Sequence, residues 1–229
     1  MGCLFLSNVI IRKEGESICS LTLNRPGKLN ALNRDMLMRF GDAVNESASD
    51  GDVRVLIIKG HDTKAFSSGG DLTQPDGEKN FSLIVEAIQY FQQSMLNYPL
   101  PIIAMICGPA IGLGLDMATM CDIRLAGDNA YFSANTVRLG KVYHHTSTRR
   151  LIDIVGYAAA TELLITGRII DVWRAERVGL VNQVYPLDQL EKKTYELARE
   201  IVEKTVPEAV RDTKAMLKRL IRNETGDRA

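Results

Sequence analysis

Two short glycine-rich segments hold the residue types best placed to do chemistry. The first is Lys64-Ala65-Phe66-Ser67-Ser68-Gly69-Gly70-Asp71-Leu72 and the second is Gly108-Pro109-Ala110-Ile111-Gly112-Leu113-Gly114-Leu115-Asp116. Glycine admits positive φ and lets a backbone approach a ligand closely. A helix starting just after such a turn has unpaired N–H groups and the positive end of its dipole there. Two such turns side by side can aim two N–H donors at one oxygen. That is an oxyanion hole, in which losing one donor costs about 2.7–4 kcal/mol of transition-state stabilisation. Tight turns also need glycine for shape alone, so at this level a structural role stays open. The second segment is not a dinucleotide fingerprint, because the third glycine of G-x-G-x-x-G would fall at Met117. No G-x-x-x-x-G-K-[ST] phosphate loop is present either.

The elements around these turns read as alternating strands and helices. Leu4–Arg12 and Ser17–Asn24 are apolar or alternating, with Lys13-Glu14-Gly15-Glu16 as the turn between them. Asn33 predicts an N-cap for a helix to about Ser47, with Met36, Leu37, Phe40, Ala43 and Val44 at helical spacing. Val53–Lys59 is a short β-branched run that predicts a buried strand leading into the first turn. Phe81–Asn97 carries Ile84, Val85, Ile88, Phe91, Met95 and Leu96 on one helical stripe. Pro101–Cys107 predicts the strand feeding the second turn, Leu113–Cys121 the helix leaving it, and Asp122–Ala126 another strand. This order predicts an α/β layered fold with parallel strands. From Thr148 onward the pattern is helical, near 147–155, 158–165, 174–178, 187–204 and 208–222, with glycines and prolines between. A division follows: a core over residues 1–170 and a small helical part over 171–229.

Composition narrows the function classes. At roughly 150 residues per domain, 229 residues make one domain or one with an appendage. Lys+Arg and Asp+Glu are both 28, and this zero net charge lacks the basic surplus of a nucleic-acid binder. It leaves room for a small anionic ligand met by a few local cations. Cys3, Cys19, Cys107 and Cys121 form no C-x-x-C pair and read as reduced thiols. His61, His144 and His145 offer no zinc spacing, so no metal is expected. The first residues lack a basic n-region and an uninterrupted apolar run, and no stretch approaches the ~20 residues that span a bilayer. A cytoplasmic protein without membrane partners is the expectation.

The turns do not stand alone. Leu23-Asn24-Arg25-Pro26-Gly27-Lys28-Leu29-Asn30-Ala31-Leu32 resembles the N-terminal signature of the crotonase (enoyl-CoA hydratase/isomerase) superfamily. Residues 65–72 resemble its first oxyanion turn and residues 101–122 its second. Glu162-Leu163-Leu164-Ile165-Thr166-Gly167-Arg168, with Ala175 and Gly179-Leu180-Val181-Asn182, is similar to its helical linker. These blocks keep the family order along essentially the whole chain. The resemblance implies a spiral β/α core with a small C-terminal helical trimerisation region, and homotrimers or hexamers built as dimers of trimers. It implies fatty-acid-type metabolism of an acyl-CoA thioester. No cofactor is permanently bound, and coenzyme A enters as part of the substrate. By position the two N–H donors are Gly70 and Leu113. Contacts to coenzyme A fall to Arg25, Lys28, Ala31, Lys64, Ser68, Asp71 and Leu72, although solvation is the plain alternative for each surface cation. Family chains usually continue for several helical turns past the position of Arg222, so this helical region is expected to be short.

The reaction is where the resemblance loosens. Family hydratases place two glutamates about a water; here the first position is Asp116, one methylene shorter, and the second is Thr136. Threonine cannot act as a carboxylate base near neutral pH. The following loop, Gly140-Lys141-Val142-Tyr143-His144-His145-Thr146, lacks the usual glycine-rich stretch. Residues 135–143 partly resemble the methylmalonyl-CoA decarboxylase branch, which has a tyrosine at the position of Tyr143 and a histidine at that of Gly70. Hydration, double-bond isomerisation through Asp116 and decarboxylation aided by Tyr143 therefore all stay open, as does a catalytically weak binding protein. For His144 and His145 a surface loop is the competing reading.

Overall fold

The structure, a computed structural model, describes residues 8–15, 17–71 and 78–223, with backbone alone at 78–81 and 222–223. A six-stranded sheet organises it. Strands β1 (Val9–Glu14) and β2 (Ile18–Leu23) form an antiparallel hairpin. Strands β3 (Val55–Gly60), β4 (Ile102–Ile106), β6 (Ile123–Gly127) and β9 (Gln183–Tyr185) then add in parallel, in the order β1-β2-β3-β4-β6-β9. A second sheet has three short strands, β5 (Pro109–Ile111), β7 (Tyr131–Ser133) and β8 (Ile170–Asp171).

The apolar runs explain the sheet. Every residue of β2 and β4 is buried, as expected of strands covered on both faces. Alternation sorts the side chains between two cores. Val55, Ile57, Ile103 and Met105 pack with Leu190, Tyr195 and Ala198 of α6 (Leu187–Lys204). Leu56, Ile58, Ile102, Ala104 and Ile106 point to the other face. There they join Met36, Phe40 and Val44 of α1 (Arg34–Ser49) and Phe91 and Met95 of α2 (Glu78–Asn97). Phe40 and Phe91 meet edge to face at 5.7 Å.

Several expectations hold to within a few residues. Asn33 caps α1, its Oδ1 accepting from the Met36 N–H at 2.9 Å. Helix α3 (Leu113–Met120) leaves the second glycine turn. Of the four cysteines, Cys19, Cys107 and Cys121 are buried free thiols and Cys3 lies outside the described residues.

Other expectations are corrected. Lys13 and Glu14 belong to β1 rather than to the turn. The two helices expected at 147–155 and 158–165 are α4 (His145–Thr166), broken at Gly156, where φ is +76°. The chain beyond residue 148 is not all helix. After α5 (Val172–Arg177), β9 returns to the large sheet, so the part expected as helical supplies an edge strand. These strands are two or three residues long, too short to show a period.

Helix α7 (Pro207–Asn223) is tied down by lysines. Lys214 Nζ donates to Leu100 O and Asp122 Oδ2, both at 2.6 Å. Lys218 Nζ donates to Leu96 O and Tyr98 O at 2.7 and 3.0 Å. Among the described residues, no helix is long and apolar enough to cross a membrane.

Candidate active site

The first glycine turn is fixed by the loop that precedes α1. Leu29 and Asn30 both take left-handed backbone, with φ of +48° and +54°. This turns the buried Asn30 inward, where its Nδ2 donates to Ala65 O at 2.8 Å and its backbone O accepts from Ser67 Oγ at 2.9 Å. The backbone continues the grip: Ser68 N donates to Leu29 O, Leu32 N to Gly69 O and Asp71 N to Leu32 O, at 2.9, 2.7 and 3.0 Å. Arg25 Nη1 closes the loop with bonds to Asp71 Oδ2 at 2.6 Å and Ala31 O at 3.0 Å. The two bonds of Leu32 bridge it to Gly70, yet the Gly70 N–H itself has no acceptor among the described residues, and a Cβ there would meet nothing within 4 Å.

The second turn is bolted to the first. Ser67 N donates to Pro109 O at 2.9 Å and Ile111 N to Ser67 O at 3.0 Å, a short parallel bridge between the turns. Glycine is required where they touch. At Gly69, φ is +102° and a Cβ would sit 2.8 Å from Ile111 O and 3.7 Å from Leu113 N. At Gly112, φ is +53° and the N–H donates to Ser133 O at 2.8 Å. Leu113 opens α3, so its N–H has no acceptor one turn back. The fold thus sets two N–H groups without acceptors among the described residues on adjacent turns.

Asp116 lies in the first turn of α3, only 2% exposed. Its carboxylate is held from two sides. Arg150 Nη2 donates to Oδ1 at 2.9 Å, and Gln92 Nε2 donates to Oδ2 at 2.8 Å. Arg150 Nε also reaches Thr119 Oγ1 at 3.2 Å. Tyr143 packs against the core nearby, and its hydroxyl donates to Gly112 O at 3.1 Å. Burial first, and then the Asp116 charge, push its phenol well above the usual 10.0, with Arg150 opposing. Thr136 sits half-buried in the 3-10 turn Asn135–Leu139, whose Asn135 Oδ1 lies 3.3 Å from where a Gly112 Cβ would be.

Known proteins share this arrangement of chain. The family described as enoyl-CoA hydratase/isomerase matches residues 13–228. The chain belongs to that family. A short-chain-enoyl-CoA hydratase of Clostridium acetobutylicum is 35% identical over 220 residues, 93% of this chain and 82% of that protein. A crotonyl-CoA hydratase of Syntrophomonas wolfei is 35% identical over 86% of this chain and 76% of its own. The crystal structure of an enoyl-CoA hydratase/carnithine racemase from Magnetospirillum magneticum superposes with a TM-score of 0.89 at 31% identity, over 95% of this chain and 84% of that one. The α/β architecture is therefore the crotonase fold.

Within this family member, the expected site residues divide. Gly70, Leu113, Asp116, Thr136 and Tyr143 all lie on the two turns or on elements touching them. Arg25 and Asp71 pair with each other. Ala31 is buried, Ser68 is half-buried with its Oγ donating to Lys28 O at 3.2 Å, and the Lys28 and Lys64 side chains are exposed. Leu72 lies outside the described residues. His144 and His145 are exposed, with rings 4.8 Å apart, and His61 is exposed as well.

Sequence reasoning missed Asn30 as an organiser and Gln92 and Arg150 as partners of Asp116. A signal existed for Gln92. It falls among Ile88, Phe91, Met95 and Leu96 on the apolar stripe of α2, where a polar group needs a partner. Arg150 sits likewise between Ser147 and Ile154 on α4.

Proposed function

We propose that this chain is an acyl-CoA enzyme of the enoyl-CoA hydratase/isomerase type that stabilises a thioester enolate. The observation that carries this is the pair of bridged turns whose Gly70 and Leu113 N–H groups have no acceptor among the described residues. A thioester oxygen set between them gains negative charge when the α-carbon becomes enolic, and the two donors stabilise that charge most in the transition state. Asp116 moves the proton. In isomerisation it takes one from the α-carbon of a 3-enoyl thioester and returns it to the γ-carbon. In hydration, the elements of water add across the double bond of a 2-enoyl thioester. The names of the hydratase relatives favour short-chain enoyl thioesters.

In this reading coenzyme A enters with the substrate, and no cofactor is permanently bound. The exposed Lys28 and Lys64 meet its phosphates, while Ala31, Ser68, Asp71 and Leu72 line its path. Arg25 acts from behind through Asp71. The enzyme is cytoplasmic and assembles as a trimer or a dimer of trimers.

A second reading is favoured by Thr136 and by the two donors that already hold Asp116. With a single carboxylate, isomerisation or decarboxylation needs less than two-carboxylate hydration. In decarboxylation, the C–C bond to the carboxylate breaks, CO2 leaves, its electron pair becomes the enolate, and a proton then adds to carbon. Incubation with crotonyl-CoA, a 3-enoyl-CoA and methylmalonyl-CoA, followed by mass spectrometry and chromatography, separates the readings. Gain of water, a shifted double bond and loss of CO2 are the three signatures. Intact coenzyme A binding without turnover of any of the three would leave a binding protein instead.

A further inference from the structure

The hydrogen bond from Tyr143 does not point at open space where a substrate would lie. It ends on the carbonyl oxygen of Gly112 at 3.1 Å. That carbonyl and the Leu113 N–H are the two ends of one planar peptide unit. We propose that Tyr143 is a positioning residue of the oxyanion hole, holding and polarising the Gly112–Leu113 peptide so that the Leu113 N–H is a stronger and better-aimed donor.

Three observations support the assignment, which rests on the acyl-CoA reading above. First, the carbonyl is fully engaged. Gly112 O accepts from the Tyr143 hydroxyl and from Asp116 N at 3.0 Å, which occupies both lone pairs. Donation to a peptide oxygen draws charge through the amide and strengthens its N–H, by roughly 10–30% per bond in a hydrogen-bonded chain. Secondly, this peptide needs holding. Gly112 has φ of +53° and ψ of −115°, outside the helix it precedes, and only the peptide before it is fixed from its N–H side, by the Gly112 N–H to Ser133 O. Asp116 N restrains the carbonyl from within α3, and Tyr143 adds a side-chain restraint from the loop before α4. Thirdly, the phenol is kept as a donor. Its charged neighbours are Asp116 and Arg150, and burial together with the Asp116 charge holds the proton on oxygen at neutral pH. A proton committed to a peptide oxygen is not directed at substrate carbon, so this geometry separates Tyr143 from the role of proton donor.

The test uses butyryl-CoA, isotope-labelled at the thioester carbonyl, as a non-reacting probe, with infrared difference spectroscopy on the parent enzyme and on Tyr143→Phe. The parent should lower the carbonyl stretching frequency on binding. Tyr143→Phe should bind the probe within about twofold of the parent yet lower the frequency less. Its kcat on the best substrate should fall about two- to eightfold with KM little changed, a fraction of the value of one oxyanion donor. Circular dichroism checks that the variant is folded, and Tyr143→Met, which also lacks the hydroxyl, should repeat the spectral change. An identical frequency shift in parent and variants would overturn the proposal. So would a loss of kcat of a thousandfold or more with the frequency unchanged, since Tyr143 would then act on substrate directly. If the parent itself leaves the carbonyl unpolarised, the acyl-CoA reading fails and the proposal falls with it.

Discussion

Arg150 and Gln92 both donate to Asp116, but only Arg150 brings charge, and the two should behave differently when removed. The Asp116 side chain is 3% exposed and that of Arg150 16%. Arg150→Met would leave a buried carboxylate without its cation. Such losses cost about 3–5 kcal/mol, with the low end expected here because the guanidinium keeps some solvent. Gln92→Leu removes one neutral donor to a charged acceptor and should cost about 1.5–3 kcal/mol. Thermal or urea unfolding of both variants tests the order; equal losses would mean that the Arg150 charge contributes nothing beyond its hydrogen bond. Asp116→Asn should abolish proton transfer while leaving thioester affinity nearly intact, read by kcat alongside calorimetric binding of butyryl-CoA. Equal loss of binding and turnover would make Asp116 a structural residue of α3.

The helices and strands that carry these residues differ in how far their origin is local. Helix α7 is fixed by Lys214 and Lys218, which donate to backbone oxygens at and beyond the C-terminal end of α2. Lys214→Met should therefore cost about 1.5–3 kcal/mol and speed amide exchange across 207–223 before the rest of the chain; unchanged exchange there would show that apolar packing alone holds the helix. Local signals sufficed where a period or a cap was long enough to see. The β-branched run at Val55–Ile58 alternates between two cores, and Asn33 both precedes an apolar stripe and caps it. The glycine turns were legible because glycine answers to backbone demands that show in the residue type itself. The pairing of Gln92 and Arg150 with Asp116 was not, because it joins three helices far apart in sequence. Nor were β5, β7, β8 and β9, whose two or three residues become strands only through their neighbours in the sheet. The organising role of Asn30 depends on two consecutive left-handed residues, one of them Leu29, which composition gives no reason to expect.

At the scale of the whole molecule, two properties follow from what is buried and what is not. Tyr98 is 1% exposed with its hydroxyl 2.9 Å from Ser47 Oγ, and burial raises its phenol far above the ordinary 10.0. The unfolded chain gives up that proton near pH 10 while the folded chain retains it, so stability should fall as pH rises past about 10, by up to about 1.4 kcal/mol per pH unit per tyrosine. Tyr98→Phe should flatten that slope in urea titrations across the alkaline range; an unchanged slope would place the alkaline loss elsewhere. The second property is the distribution of exposed apolar side chains. Among the described residues, all the large ones except Ile11 and Leu29 lie at or after Val137. On α7, Met216, Leu217, Leu220 and Ile221 are 52–58% exposed in one stripe, while Lys214 and Lys218 turn inward to carbonyls. A helix that turns its lysines inward and shows its leucines is arranged to meet another apolar surface. With Val142 at 96% and Trp173 at 54% exposure, the same half of the chain carries further apolar surface. In the proposed trimer or dimer of trimers, copies of this chain cover the α7 stripe. Light scattering on the parent should give three or six copies, and Leu217→Lys with Leu220→Lys should give a folded monomer whose apolar dye binding rises. A parent that is monomeric at micromolar concentration would remove the assembly from the proposal and leave the stripe to a different partner.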